Sequence, residues 1–575
     1  MKKIYIIILS LLIMGAAGYL VIRYGVLKTD LFESDESKAK NILDLRPRLV
    51  AKLQELVYDG SDGLYRLEVD SFDIDLSDKT LDFTDAVLRY DTGRLHYLDS
   101  LKMAPDDLYF IRFNTLHVDG ITIDELLTKN NISVKGIFLD QPQMKVYTVE
   151  RPYNAVKRSQ RDSLSLYNKI MGNLTHISAE KIIIKDGSFQ NTFNYSARQP
   201  SSFNGISVEM NNLLIDKSTE FDASRILFAK NLQITTKDYL FRTADSLYNI
   251  KSSLIRYLSS KRRLEAYDVR VEPRLNEKAF STAQQYRGER YDVRLQKVLF
   301  SNIDWWSFIN NKKLQAKELI IPGGRVNIYL DRSLPVNSST KTDNFPHQLF
   351  MKMNMPVDIQ KLSVKKINLA YKEFNPETGK TGIVYIDSIN LNGNNISNTR
   401  LSGNSRFITI DSRGLLMHKF PITIKLSMDK QKALAGNFKA DVVVNAINDK
   451  EPLNQVVEPL GGFLVKKGSM QGGEANIEGD NTGARASVKI LYQDLAIQPL
   501  KKDKNNPDKL KKKTLTGIIA NLFVIKHSNP SRGDAPRVAE ITYVRKPHAS
   551  FANLIWKAIL LGVLDTVGIP EKFAE

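Results

Sequence analysis

The histidines are the side chains of this sequence best suited to acid-base or metal chemistry, and their spacing supports neither. Two histidines separated by three residues would share one helical face and could bind a metal together. No such pair occurs among His96, His117, His176, His347, His418, His527 and His548. His418 falls in an alternating apolar run, where we expect a histidine of the protein core rather than a ligand.

Other catalytic motifs are missing as well. The chain has no cysteine, which excludes thiol catalysis, disulfides and cysteine-ligated metals. Gly468-Ser469 lacks the second glycine of a nucleophile elbow, and no phosphate-binding glycine loop is present. The carboxylates alternate along strand-like segments and do not form a pair for acid-base work. The sequence therefore predicts no catalytic residue, metal or cofactor, and we expect a protein that is not an enzyme.

Positive charge is the strongest compositional feature. The formal net charge is +18, but no nucleic-acid-binding motif is visible, so we predict no nucleic-acid partner. The basic residues are densest in KKDKNNPDKLKKK, a predicted loop over residues 501–513. This run is typical of a solvated loop, and it also fits contact with anionic lipid headgroups. The headgroup candidates are Lys501, Lys502, Lys504, Lys509, Lys511, Lys512 and Lys513.

Two segments near the C-terminus alternate between apolar and polar residues, LLMHKFPITIKLSMD and NFKADVVVNA. Each places its apolar side chains on one face of a predicted strand, as in antiparallel sheets with one solvent-exposed face. Something apolar must cover the other face. We predict that this apolar face forms a groove for acyl chains. The candidate groove residues are Phe420, Ile422, Ile424, Leu426, Phe438, Val442 and Val444.

An internal repeat organises the rest of the chain. Residues 113–147 align without a gap on 295–329 at an offset of 182 (303 − 121), with the apolar positions in phase. Each copy predicts a strand, a short helix, a second strand, a turn at Pro142 or Gly323-Gly324, and a last strand. Repeated units of this kind build elongated scaffolds.

Local patterns around the repeat give three further predictions. Asp70-Ser71 matches Asp245-Ser246, while Asp85 matches Asp268, so the second copy would hold a hairpin connection longer by 8 residues (183 − 175). By this match, residues 247–258 form strand rather than helix. Asp186-Gly187 predicts a tight hairpin turn.

The two ends of the chain are apolar. Residues 4–22 carry no charge and are long enough for a transmembrane helix. A cleaved signal peptide ending near Gly15, Ala16 and Ala17 is the alternative, and either exports the body. At the other end, FANLIWKAILLGVLDTVGIP predicts a helix that caps the sheet, lies in a membrane interface or crosses a membrane. The interface candidates are Phe551, Trp556 and Lys557.

The region from Asn437 to Leu500 resembles the AsmA-like superfamily, whose larger members include TamB. The resemblance rests on a strand, a Pro459-Leu460-Gly461 turn, a strand ending in Lys467-Gly468, and the run Ile477-Glu478-Gly479-Asp480. It implies a single-pass inner-membrane (cytoplasmic-membrane) protein with its bulk in the periplasm. It also implies a bent β-sheet with an apolar groove, linked to lipid transport and outer-membrane integrity, and no catalytic residues.

These observations predict a mainly β fold with a few helices. It would comprise an N-terminal transmembrane helix, an elongated antiparallel sheet rolled into an apolar groove with repeated strand-helix-strand modules, and a C-terminal helix. The expected divisions are an anchor (1–23), a helical stalk (24–60), a first β-module (61–150), a second β-module (151–330), a linker (331–346), a C-terminal β-module (347–548) and an apolar helix (549–575).

The expected function is lipid binding and transfer in support of outer-membrane biogenesis. The predicted partners are phospholipid or another acyl lipid, the inner membrane and envelope-assembly proteins. A non-transporting envelope scaffold or assembly factor with a closed β core is the alternative. Charged side chains at Ile424 and Val442 would separate the two, because only a closed core should unfold.

Overall fold

The computed structural model describes the chain from residue 50 onward with gaps, and its architecture is mainly β. The described residues are 50, 51, 54, 55, 57–59, 61–75, 77–120, 131–154, 167, 175–193, 201–243, 245–336, 343–399, 405–447, 449–502, 510–512, 525–546 and 549–569. The predicted anchor lies outside them, as does most of the stalk, whose described residues between 50 and 59 are helical. Within these ranges, no helix has the length and apolar character needed to span a bilayer.

The chain divides into two compact units. The first holds the described residues up to Ser246 together with Ile250–Leu264, and the second holds Leu247–Asn249 and the described residues from Glu265 onward. The first strands and helix are β1 (Tyr65–Asp75), β2 (Thr80–Tyr90), α1 (Thr92–Ser100), β3 (Asp107–Asp119), β4 (Asn131–Asp140), β5 (Gln143–Thr148), β6 (His176–Phe193), β7 (Ser201–Ile215), β8 (Ala229–Arg242), β9 (Tyr248–Leu258) and β10 (Arg263–Pro273).

The remaining elements belong to the second unit. In chain order they are α2 (Glu277–Ala283), β11 (Arg290–Ser301), α3 (Trp305–Asn311), β12 (Leu314–Ile321), β13 (Gly324–Asp331), α4 (Pro346–Met351), β14 (Val357–Asn375), β15 (Lys380–Ser397), β16 (Phe407–Leu416), β17 (Phe420–Asp429), β18 (Phe438–Ile447), α5 (Glu451–Val456), a π-helical turn (Val457–Gly461), β19 (Phe463–Gly479), β20 (Gly483–Lys502), β21 (Leu510–Lys512), β22 (Ala539–Val544) and α6 (Phe551–Val567).

The sheet of each unit is mixed, which corrects the expected antiparallel sheet. Most neighbours are antiparallel, as in β1–β2–β3 and β14–β15–β16–β17–β18–β19–β20. However, β4 and β5 both run parallel to β6, and β12 and β13 both run parallel to β14. A parallel neighbour requires a crossover connection, and the chain makes one after β5 and one after β13.

The same strand pairs recur in the two units. β3 pairs with both β4 and β5, and β11 pairs in the same way with β12 and β13. β9 begins 183 residues after β1 (248 − 65), and β10 begins 183 residues after β2 (263 − 80). The expected longer hairpin in the second copy is therefore wrong, because both strands keep one offset. Residues 248–258 form strand, as the repeat predicts.

Single residues in the left-handed region bend these strands at matching positions. Asp85 and Asp268 have φ of 46° and 48°, and Asp186 and Lys366 have φ of 51° and 50°. Each such residue shifts the alternation by one position, so buried Leu81 and Phe83 are followed by buried Ala86 rather than residue 85. The apolar side chains thereby stay on one face.

Three predicted local structures are wrong because residues with a left-handed backbone conformation bend the chain. Asp186-Gly187 lies inside β6 at a register shift rather than in a hairpin turn. At Pro142 and at Gly323 the chain does not turn back, because the strands before and after share the same two neighbours. Conversely, the predicted continuous strand through His418 is broken. Met417 and His418, with φ of 49° and 67°, form a tight turn, and the His418 side chain is exposed rather than in the core.

Candidate functional site

Cross-strand pairing in the second unit aligns three rows of side chains on one face of the sheet. Directly opposed residues of neighbouring strands point to the same face, so the register alone defines each row. Row 1 is Phe300, Leu319, Leu362, Gly393, Ile410, Leu426, Ala440, Ile477 and Ala486. Row 2 is Ile321, Val364, Leu391, Ser412, Ile424, Val442, Ala475 and Val488.

Row 3 lies on the far side of the bend in β14. Its members are Leu295, Gly324, Ile367, Ile389, Gly414, Ile422, Val444, Gly473 and Ile490. Ile389 and Gly414 lie at a register shift between β15 and β16, where a Cβ on Gly414 would lie 3.4 Å from Cγ1 of Ile389. Across the three rows, Ser412 carries the single polar side chain. We call these rows together the apolar face.

Exposure changes along the apolar face. Row 2 is half-buried on every strand from Ile321 on β12 to Val442 on β18. It then becomes fully buried, with Ala475 and Val488 only 4% and 1% exposed. Since neighbouring strands lie about 4.8 Å apart, the half-buried part crosses five spacings, or roughly 24 Å. An apolar strip of this length is therefore left only partly covered by the protein.

The helix α6 buries one end of the apolar face. Leu554, Ala558 and Leu561 of this helix belong to the same core cluster as Ala475 and Ile477. The approach is close, because a Cβ on Gly562 would lie 2.4 Å from Cβ of Val488. Of the three alternatives for this apolar helix, the described contacts are those of a cap on the sheet.

The segment containing α5 and the π-helical turn packs elsewhere on this face. Leu453 and Val456 pack against the cluster of Met417 and Phe420. The turn holds the Pro459-Leu460-Gly461 motif, and hydrogen bonds fix it to the β14–β15 hairpin. Thr378 Oγ1 donates to the Pro459 carbonyl at 2.6 Å, and Asn375 Nδ2 donates to it at 3.1 Å.

The predicted groove residues all lie on the same side of the sheet, five of them in the three rows and Phe420 and Phe438 next to them, but with different exposure. Ile424, Leu426, Val442 and Val444 are half-buried. The other three are covered by the protein's own side chains: Phe420, Ile422 and Phe438 are 5%, 8% and 3% exposed. Phe420 and Phe438 belong to core clusters, and we carry the four half-buried residues forward as candidates.

Aromatic packing explains the burial of Phe438 and separates the three predicted interface residues. Phe551 lies with its ring centroid 4.8 Å from that of Phe438 and 5.1 Å from that of Phe345. Phe551 therefore packs against the core, and it is half-buried. Trp556 is 49% exposed, and Lys557 is half-buried.

The lysine-rich segment is not simply a loop. β20 extends to Lys502 and pairs with β21, with Lys501 opposite Lys511 and Leu500 opposite Lys512. The backbone of these four residues is therefore extended and hydrogen-bonded. Lys504, Lys509 and Lys513 lie outside the described residues.

Polar groups flank the apolar face beyond Ile328 and Leu330. Arg332 forms an ion pair with Glu373 at 3.2 Å, and the Tyr371 hydroxyl donates to the same carboxylate at 2.8 Å. Burial raises the pKa of Tyr371, and the carboxylate raises it further. Tyr371 is therefore a neutral hydrogen-bond donor at neutral pH, which suits positioning more than proton transfer.

Among the described residues, the titratable groups named below do not form a catalytic arrangement. His347 is 2% exposed, and burial lowers its pKa to about 4. His117 and His418 each contact one carboxylate, Asp82 and Asp387, at 2.7 and 2.5 Å on exposed parts of the sheet. In the part of the chain that the structure describes, no cluster of acidic and histidine side chains has the geometry of a metal site.

Sequence reasoning found the C-terminal part of the apolar face and missed its continuation onto β12, β14 and β15. The signal was present, because Ile321 already matches Leu139 in the repeat alignment. The bends hid it, since each one interrupts the alternation of apolar residues. Compared with protein-family models and with curated proteins, the chain matches none.

Proposed function

We propose that this protein is a membrane-anchored periplasmic lipid-binding protein that shields acyl chains on the apolar face and supports transfer of lipid during outer-membrane biogenesis. One observation carries the proposal: row 2 is half-buried over six strands, with one polar side chain in the row. Soluble proteins rarely leave a long continuous apolar surface without a partner. An acyl chain is the partner with matching length and polarity.

The energetics favour a guest that is held but can slide. Burying hydrocarbon is favourable by about 0.8 kcal/mol per methylene. A chain lying across several strands would therefore gain several kcal/mol without needing any directional contact. Because the members of the row other than Ser412 are similar in polarity, shifting the chain by one strand changes little of that gain.

The sequence supports the location and the partners. The uncharged segment 4–22 would anchor the body in the inner membrane, and the resemblance to the AsmA-like superfamily points to the periplasm and to lipid transport. Phospholipid or another acyl lipid is the proposed ligand. Envelope-assembly proteins are proposed partners.

Lipid analysis of the full chain tests this proposal. Protein extracted in a mild detergent should carry co-purified phospholipid, which mass spectrometry would identify. Ile424→Asp and Val442→Asp should remain folded and lose that lipid, because both side chains are half-buried. Wild-type protein that is free of lipid after mild extraction would contradict the proposal.

A non-transporting envelope scaffold is the second candidate, and a specific observation favours it. Beneath α6 the sheet is filled by the chain itself, with Ile477 and Leu554 1% and 0% exposed. A scaffold would need the whole face to be filled in this way. In that case Ile424→Asp and Val442→Asp would unfold the second unit.

A further inference from the structure

Ser412 interrupts the apolar face at its centre. It lies in row 2, directly opposite Leu391 on β15 and Ile424 on β17. Its neighbours two residues away on β16 are Ile410 and Gly414. A hydroxyl in this position has aliphatic side chains on three sides and a glycine on the fourth.

The Ser412 hydroxyl has no hydrogen-bond partner among the described residues. The residue is half-buried, and its oxygen is not among the buried polar atoms that lack a partner. Water can therefore reach it from the open side of the face. Gly414 and the nearby Gly393 add no side chain that would cover it.

A ligand on the apolar face would change the hydration of the Ser412 hydroxyl. A hydrocarbon chain lying over row 2 would displace the water and leave the hydroxyl without a partner, which is unfavourable. A serine hydroxyl offers one donor and two acceptor sites. A ligand that brings a hydrogen-bond acceptor to this point would remove the penalty.

We propose that Ser412 binds the ester carbonyl of an acyl lipid and so makes the apolar face selective for ester-linked lipids. The ester carbonyl is the acceptor at the junction between an acyl chain and its polar headgroup. With that junction at Ser412 on β16, the hydrocarbon can extend along row 2 over β15, β14 and β12, which is three strand spacings or roughly 14 Å. This inference rests on the proposed lipid-binding function and names its ligand class.

Matched lipids test it on the full-length protein in detergent. Native mass spectrometry would compare a diacyl phosphatidylethanolamine with the dialkyl ether analogue of the same chain length, which lacks the ester carbonyls. One neutral hydrogen bond corresponds to a preference of about three- to tenfold. Wild-type protein should show this preference for the diacyl lipid, and Ser412→Ala should bind the two lipids equally.

Two variants complete the test. Ser412→Thr keeps the hydroxyl and should retain the preference. Ser427→Ala removes a hydroxyl from the opposite face of β17 and should change nothing. Equal binding of the two lipids by wild-type protein, or an unchanged preference in Ser412→Ala, overturns the role of Ser412 alone. Binding of neither lipid by wild-type protein overturns the proposed function as well.

Discussion

Leu139 in the first unit and Ile321 in the second hold the same place in a repeated strand, yet their surroundings differ. Leu139 is 3% exposed, and its neighbours across the sheet, Ile184 and Val208, are 6% and 7% exposed. Ile321, Val364 and Leu391 form the equivalent row of the second unit, and all three are half-buried. The pairing is the same in both rows.

This difference separates two properties that sequence patterns tend to merge. The alternation of apolar residues decides which face of a sheet turns away from water. It does not decide how completely that face is covered. At this row the apolar face of the first unit is buried, whereas that of the second unit is partly exposed.

The largest expected effect comes from placing a charge at the two matched positions. Leu139→Asp should destabilise the first unit by about 4 kcal/mol or more, because it buries an unpaired carboxylate. Ile321→Asp should cost far less, because water reaches the half-buried site, but it should reduce bound lipid. Urea unfolding and lipid analysis of both variants would measure this, and equal destabilisation would remove the distinction between the units.

Truncation to alanine should sharpen the comparison with a smaller effect. Ile182, 4% exposed, and Leu362, half-buried, are matched positions of β6 and β14. Ile182→Ala should cost about 2–5 kcal/mol, as for other buried aliphatic side chains, and Leu362→Ala clearly less. If the two costs in urea unfolding were the same, the two faces would be equally filled.

Acid should weaken the second unit through His347. Burial lowers the pKa of His347 to about 4, and the nearby charge of Asp429 opposes this only in part. The folded state therefore disfavours the protonated ring, so stability is full above pH 6.5 and falls as the pH drops towards 4. The expected loss between pH 8 and pH 5 is about 2 kcal/mol.

A pair of histidine variants isolates this contribution. His347→Phe should remove most of the loss between pH 8 and pH 5 in urea unfolding. His117→Gln, which changes an exposed histidine of the first unit, should leave the loss of stability between pH 8 and pH 5 unchanged. A loss that persists in His347→Phe would assign the acid sensitivity to other groups.

The smallest effect tests what the two units have in common. The Tyr109 backbone N–H donates to the Tyr65 hydroxyl at 3.1 Å, and the Tyr291 N–H donates to the Tyr248 hydroxyl at 3.2 Å. Tyr65→Phe and Tyr248→Phe should each cost about 1 kcal/mol, since each removes one hydrogen bond to the backbone. Thermal unfolding that shifted for only one variant would show that this part of the repeat is not equivalent.

The sequence alone predicts much of the local structure of this protein. The matched apolar positions from Leu116/Val298 to Val146/Ile328 predict the repeated strands, and the alternation in β17 and β18 predicts which side chains share a face. Both follow from the period of two in an extended chain, which depends only on residue order. The strand at residues 248–258 is predicted for the same reason, through its counterpart in the first copy.

Tertiary structure decided the rest. The left-handed residues Asp186 and Lys366 turn an apparent hairpin signal into a bend, because the neighbouring strands hold the chain straight on either side. The burial of Phe420 and Phe438 depends on α5, α6 and Phe345, which are distant in sequence. The exposure of row 2 and the unpaired hydroxyl of Ser412 likewise depend on where those covering segments end. No local pattern of residues encodes how far α5 and α6 extend over the sheet.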